Sequence, residues 1–192
     1  LSTKAKQKIK DCRDYLNKKM ELSDTPIYGI NTGFGSLCNH KISNDDLCKL
    51  QTNLVLSHAC GTGDKVPDEI VKIMLLLKVQ SLSHGHSGVQ LETVERLIEM
   101  FNKNILPVIF QQGSLGASGD LAPLAHLSLP LLGLGQVVVD GEEVETESIM
   151  KLNKWKSISL QSKEGLALLN GTQFMGAYGV WSLLKAQKLS YM

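Results

Sequence analysis

Three adjacent small residues offer the most distinctive chemistry in the sequence. After Pro107 the helical pattern breaks, and Gln111-Gln112-Gly113-Ser114-Leu115-Gly116-Ala117-Ser118-Gly119-Asp120 reads as a Gly-rich loop. In a tight bend the amide nitrogen of Gly119 approaches the carbonyl carbon of Ala117. Glycine suits that role because no Cβ blocks the approach and unusual φ angles are open to it. Attack with loss of one water closes a five-membered imidazolone ring. Loss of the Ser118 hydroxyl as a second water leaves an exocyclic methylidene. The product is a strong electrophile made from the main chain. None of the twenty side chains supplies such a group, and proteins otherwise take it from a cofactor. The residue types permit this reaction, although an Ala-Ser-Gly tripeptide taken alone is more often a plain loop.

Other motifs carry less. Gly116-Ala117-Ser118-Gly119 is one residue short of the G-x-S-x-G nucleophile elbow. No G-x-x-x-x-G-K-[ST] is present, and Gly33-Phe34-Gly35 lacks a third glycine at the dinucleotide spacing. His84-Gly85-His86 has two imidazoles but no supporting His or Cys cluster, so it reads as a structural or surface pair and no metal is expected. Asn170-Gly171-Thr172 fits a glycosylation sequon, idle in a chain expected to stay inside the cell.

Positioning these residues falls mostly to helices. The chain has 192 residues, 43% hydrophobic and 20% charged, with net charge +1. That predicts one globular unit with ample core, not a disordered chain. The near-neutral balance argues against nucleic acid, which demands clustered Lys and Arg. The basic stretch from Lys4 to Lys19 reads as a solvated helix face. Cys12, Cys38, Cys48 and Cys60 form no C-x-x-C pair, which points to reduced thiols and a cytoplasmic location. No apolar signal region opens the sequence and no initiator Met begins it, which reads as a trimmed chain. Leu121 to Val139 carries no formal charge over 19 residues. Its prolines and glycines, and the flanking Asp120 and Asp140, favour a buried core segment over a membrane span.

The period is mainly helical. Ala5, Ile9, Cys12 and Leu16 form one apolar stripe. Ser43 is expected to cap a second helix, with Asp46 completing a capping box and Ile42 and Leu47 a hydrophobic staple. That helix runs along Leu47, Leu50 and Leu54 to His58. Pro67-Asp68-Glu69 opens a third, apolar on almost every side from Ile70 to Val79 and therefore central. Leu91, Val94, Leu97, Ile98 and Phe101 mark a fourth. A helix is predicted from about Ala117 to Leu134, adjusted at Pro130. A type I′ hairpin is predicted at Asp140-Gly141 between Val137–Val139 and Glu142–Val144. One long helix is predicted over Glu164 to Leu189, its glycines permitting close approach of neighbours.

Four segments then carry a resemblance, in order along nearly the whole chain. Gly113-Ser114-Leu115-Gly116-Ala117-Ser118-Gly119-Asp120-Leu121-Ala122-Pro123-Leu124-Ala125-His126 closely resembles the signature of the aromatic amino acid ammonia-lyases. Tyr28-Gly29-Ile30-Asn31-Thr32-Gly33-Phe34-Gly35 resembles the mobile tyrosine loop of that family. Asn53 to Gly63 resembles its next motif in the histidine-specific form, and Glu164 to Thr172 its asparagine motif.

The resemblance implies a mainly α fold with a helical-bundle core of the fumarase/aspartase-like type, a loop-rich N-terminal part and one small hairpin. Residues 1 to about 110 would form the N-terminal globular part, and about 111 to 192 the start of the helical core, with a C-terminal half absent. Ala117, Ser118 and Gly119 would become 4-methylidene-imidazol-5-one (MIO) without any metal. The implied reaction eliminates ammonia from L-histidine to give trans-urocanate. Tyr28 would be the base, despite an ordinary tyrosine pKa of about 10, on a glycine-rich loop that closes over substrate. His58 would recognise the substrate imidazole and Asn170 would hydrogen-bond the electrophile or substrate. Without the resemblance these three read as a loop aromatic, a helix-end histidine and a helix-interior amide. The implied assembly is a homotetramer whose sites combine residues of three subunits.

Alternatives are a tyrosine or phenylalanine ammonia-lyase or aminomutase, or a truncated non-catalytic module of the same fold. Phenylalanine-type members generally carry an apolar residue at the position of His58, whereas tyrosine-type members often also carry His. Phe110-Gln111-Gln112 departs from the proline and charged residue common there. Because family members are longer, the chain ending at Met192 is expected to fold but to leave the loop uncyclised. An intact mass two waters below the sequence mass would contradict that expectation.

Overall fold

The computed structural model describes residues 1–22, 25–35, 42–43 and 46–191. Cys38 lies outside them. The described residues form helices α1 (Thr3–Leu22), α2 (Leu47–His58), α3 (Asp68–Ser83), α4 (Leu91–Asn102), α5 (Leu121–Ser128), α6 (Thr146–Asn153), α7 (Glu164–Leu169) and α8 (Gln173–Ser190). Short strands are β1 (Thr62–Lys65), β2 (Leu106–Pro107), β3 (Phe110–Gln112), β4 (Gln136–Val139) and β5 (Glu142–Glu145). The chain is mainly α, as its periodicity predicts.

Helix α3 is the centre. Ile70, Val71, Met74, Leu75 and Leu82 are buried against α1, α4 and α8. The run is not apolar-facing throughout, however: Leu76 is 51% exposed, beside Trp181 and Leu184 of α8. Most lysines of α1 face solvent, but Arg13 in the same stretch is buried. It donates to the carbonyls of Gly88 (2.8 Å) and Ser162 (2.9 Å), tying α1 to two turns. Glu164, fully buried, fixes the start of α7 on α4. Its carboxylate accepts from the Gln90 amide (2.9 Å), Gln90 Nε2 (2.6 Å), Thr93 Oγ1 (2.7 Å) and the Gln161 amide (2.8 Å). A charge can be buried this way because its acceptor sites are filled.

The hairpin forms as predicted. Val139 pairs with Glu142, and Asp140 (φ 53°) and Gly141 (φ 85°) make the two-residue I′ turn. It is not isolated: β2 adds a third strand on β4, and β1 pairs with β3 in a second small sheet. Short runs with no alternation gave no sign of β1, β2 or β3.

Three predicted helices differ from expectation. Helix α2 begins at Leu47 because the Ser43 hydroxyl donates to the Asp46 carboxylate (2.6 Å) instead of capping its amide, which bonds to the Ser43 carbonyl (3.1 Å). The predicted Ala117–Leu134 helix is α only over Leu121–Ser128. Gly119 at φ 107° cannot be helical, and Leu129–Leu132 tightens to a 3₁₀ turn at Pro130, which lacks an N–H. The predicted Glu164–Leu189 helix breaks in two. Asn170 is extended and Gly171 adopts φ 153°, a conformation favouring glycine.

Close approach by glycine does occur within that segment. A Cβ on Gly165 would meet the Gln51 carbonyl oxygen at 2.8 Å, whereas one on Gly179 would meet nothing within 4 Å. Gly165→Ala is therefore expected to destabilise the fold by about 1–3 kcal/mol through overpacking of backbone on backbone. Gly179→Ala, inside a helix with open space, should stabilise by about 0.5–1 kcal/mol. Urea unfolding of the two variants measures both signs.

Candidate active site

The Gly-rich loop leaves β3 and enters α5. Gly113 (φ 133°) starts it where the chain passes Gly61, and a Cβ there would lie 3.0 Å from Gly61 Cα. Gly116 (φ 80°) and Gly119 (φ 107°) bracket Ala117 and Ser118, and the Gly119 amide reaches the Gly116 carbonyl at 3.4 Å. The Gly119 amide, which cyclisation would use as its nucleophile, is thus turned back into the bend. The residues fit the methylidene-imidazolone. A Cβ on Gly119 would stand 2.6 Å from the Gly171 carbonyl oxygen, so the cradle admits glycine alone.

The break between α7 and α8 forms the opposing wall. The Asp120 amide donates to the Gly171 carbonyl at 2.8 Å, and the Asp120 carboxylate accepts from the Met175 amide at 3.0 Å. Asp120 is buried and caps the first turn of α8 from outside that helix. Asn170, at the end of α7, is exposed to the cavity, and its carboxamide makes no hydrogen bond among the described residues. It is a helix terminus, not a helix-interior amide.

His58 closes α2. Its Nδ1 lies 2.9 Å from the Leu54 carbonyl oxygen and 3.1 Å from Ser57 Oγ. A carbonyl only accepts, so Nδ1 carries the proton, and in the neutral ring Nε2 presents a lone pair. Tyr28 sits in a turn held by Asn31, whose Oδ1 accepts the Ile27 amide (2.6 Å) and whose Nδ2 donates to Thr25 (3.0 Å). Gly29 at φ 71° presses on Leu166, where a Cβ would come within 2.5 Å. The Tyr28 ring is 56% exposed and meets Phe34 edge-on at 5.9 Å.

All six candidate residues, Tyr28, His58, Ala117, Ser118, Gly119 and Asn170, line one open cavity of about 820 Å³. Apolar walls come from Leu54, Leu121 and Leu166. His84 and His86, in contrast, are exposed on the turn after α3, away from this lining. Among the described residues no group of three or more His, Cys, Asp or Glu could hold a metal. No described helix is long and apolar enough to cross a membrane. Phe110-Gln111-Gln112 lies outside the bend: Gln111 Nε2 donates to the Lys65 carbonyl (3.0 Å), and Phe110 stacks edge-on to His126.

Two supporting residues were missed in the sequence. His126 is buried, and its Nε2 accepts the Gly61 amide at 3.0 Å, which holds the turn after His58. Lys78, 1% exposed on α3, directs Nζ to the α7–α8 break, and burial pushes its amine down to about 7. A lysine inside the mostly apolar run from Ile70 to Val79 was the available signal.

The sequence pattern of the family described as aromatic amino acid lyase matches residues 1–192. The chain belongs to that family. A histidine ammonia-lyase of Legionella pneumophila (strain Corby) is 52% identical over 172 residues, covering 90% of this chain and 34% of that protein. The crystal structure of histidine ammonia-lyase from Trypanosoma cruzi superposes with a TM-score of 0.89 at 37% identity, covering 98% of this chain and 36% of that one. The phenylalanine aminomutase of Pantoea agglomerans superposes at 0.91 with 31% identity, over 98% and 36%. The chain spans about a third of the length of the curated relatives it matches. Within the family, then, the backbone likeness is shared by members named for different reactions.

Burial lowers the His126 pKa below its ordinary 6.5. The unfolded chain therefore takes up this proton first as pH falls, and the stability His126 contributes is present above about 6.5 and lost below it. His126→Leu should flatten that part of the pH–stability profile and leave the Gly61 amide unpaired, at a cost of about 1–3 kcal/mol. Thermal or urea unfolding between pH 5 and 8 reads both effects.

Proposed function

We propose that this chain is the part of a histidine ammonia-lyase that carries the electrophile. The reaction would eliminate ammonia from L-histidine to give trans-urocanate. The observation that carries the reading is the meeting of Tyr28, His58, Asn170 and the Ala117-Ser118-Gly119 bend around one cavity. The relatives named for histidine add to it.

Elimination from histidine is difficult on two counts: the amine leaves poorly and the β-hydrogen is weakly acidic. Cyclised Ala117-Ser118-Gly119 would supply an electron sink that makes the amine a better leaving group. The chain's own residues do the rest. His58 Nε2 accepts the N–H of the substrate imidazole, which turns the side chain so that its β-carbon faces the tyrosine loop. Tyr28, reacting as the phenolate after its own proton has passed to solvent, takes the β-proton on its phenolic oxygen and becomes the neutral phenol. The Asn170 carboxamide, unspent on the protein, hydrogen-bonds at the electrophile. Leu54, Leu121 and Leu166 keep that part of the cavity apolar, which strengthens these polar contacts.

In the whole protein we expect a homotetramer in the cytoplasm. The exposed apolar side chains of α8, among them Trp181, Leu183 and Leu184, support association, and the free thiols of Cys12, Cys48 and Cys60 support a reducing compartment. A phenylalanine or tyrosine lyase, or an aminomutase, is the second reading, favoured by the superposition on phenylalanine aminomutase.

The test uses the full chain that contains this segment. Its intact mass should fall two waters short of the sequence mass, and histidine should yield a urocanate absorbance while cinnamate and coumarate stay absent. Ser118→Ala should restore the full mass and remove ammonia release. His58→Leu should reduce kcat/KM for histidine by up to about a hundredfold, the upper end of what loss of one strong hydrogen bond removes. Cinnamate or coumarate in place of urocanate would select the second reading, and turnover with an uncyclised loop would end both.

A further inference from the structure

Lys78 lies on the core side of α3 and is 1% exposed. Burying an amine there is costly unless its donors are used. Among the described residues no carboxylate pairs with it. Its Nζ turns instead to three oxygens of one short segment: the carbonyls of Ala167 (2.8 Å) and Asn170 (3.4 Å) and Oε1 of Gln173 (3.5 Å).

That segment is where the predicted long helix breaks. In a continued helix the Gly171 amide would bond to the Ala167 carbonyl. The break leaves that carbonyl orphaned, and Lys78 fills the vacancy. Gln173 carries the contact onward, because a Cβ on Gly171 would strike its Oε1 at 2.3 Å. The Gly171 carbonyl in turn takes the Asp120 amide at 2.8 Å and stands against Gly119. A continuous line of contacts therefore runs from Nζ through Gln173 and Gly171 to the bend.

We propose that Lys78 is a positioning residue: its Nζ holds the α7–α8 break in the observed shape and so fixes where Asn170 and Gly171 stand against the Ala117-Ser118-Gly119 loop. It touches neither the cavity nor the reacting atoms. The effect on turnover rests on the function proposed above; the effect on the break does not.

The test is Lys78→Met in the full chain that contains this segment, with circular dichroism as the folding control. Hydrogen exchange at the Asp120 and Asn170 amides should quicken about tenfold, as loss of one or two hydrogen bonds predicts, while the Val94 and Leu97 amides of α4 keep their protection. If the function reading holds, kcat for histidine falls about a hundredfold, the scale of an ångström-sized misplacement, with KM changed much less. Lys78→Arg, which keeps a buried donor, should recover part of the rate.

Should Lys78→Met fail to fold, Gln173→Leu removes only the acceptor that links Nζ to Gly171, and should quicken the same two amides by a smaller factor. Unchanged exchange at Asp120 and Asn170 in a folded variant, or equal quickening throughout α4, overturns the proposal. If the parent chain neither loses two waters nor releases ammonia, the function reading fails while exchange alone still decides the role of Lys78.

Discussion

The backbones of Gly119 and Gly171 pass so closely that a Cβ on the first would lie 2.6 Å from the carbonyl oxygen of the second. Neither side can relieve such a contact by a rotamer change, because both are main chain. The adjacent hydrogen bond from Asp120 to Gly171 fastens it. The loop and the break are thus a single object made from two distant pieces of sequence. Helix α5 starts immediately behind one piece and α8 immediately after the other. The Asp120 carboxylate joins them again at the Met175 amide, so a favourable charge at a helix end also sets the loop.

Around this junction the fold spends buried polar groups on backbone partners. Glu164 anchors the start of α7, Lys78 its end, and His126 the turn beyond His58. Each replaces hydrogen bonds that a helix terminus or a turn would otherwise take from water. The arrangement has a cost. Gln51 gives its Oε1 to the Gly165 amide where α2 meets α7, yet its buried Nε2 has no partner among the described residues. That unpaired donor accompanies a close helix contact near the site.

Much of this was legible in the residues. Apolar stripes gave α1 to α4, Asp140-Gly141 gave the hairpin, and Ala117-Ser118-Gly119 gave a chemical possibility that the family motifs made specific. The break at Asn170–Thr172 was not legible, because glycines at 165, 171, 176 and 179 look alike in sequence. Their roles separate only in three dimensions: Gly165 admits a neighbour, Gly171 ends a helix, and Gly179 faces open space. Lys78 was hidden by the hydrophobicity of its surroundings, and β1, β2 and β3 are too short to leave a period. Tertiary contacts, not local propensity, decide such positions.

The proton on His58 Nδ1 is committed to the Leu54 carbonyl, and this has a further result for the cavity. The ring cannot turn over without breaking that bond, so its other nitrogen keeps a single role: it receives a donor and offers none. Helix α2 therefore ends in a fixed imidazole that suits a guest arriving with an N–H or O–H and turns away one that brings only acceptors.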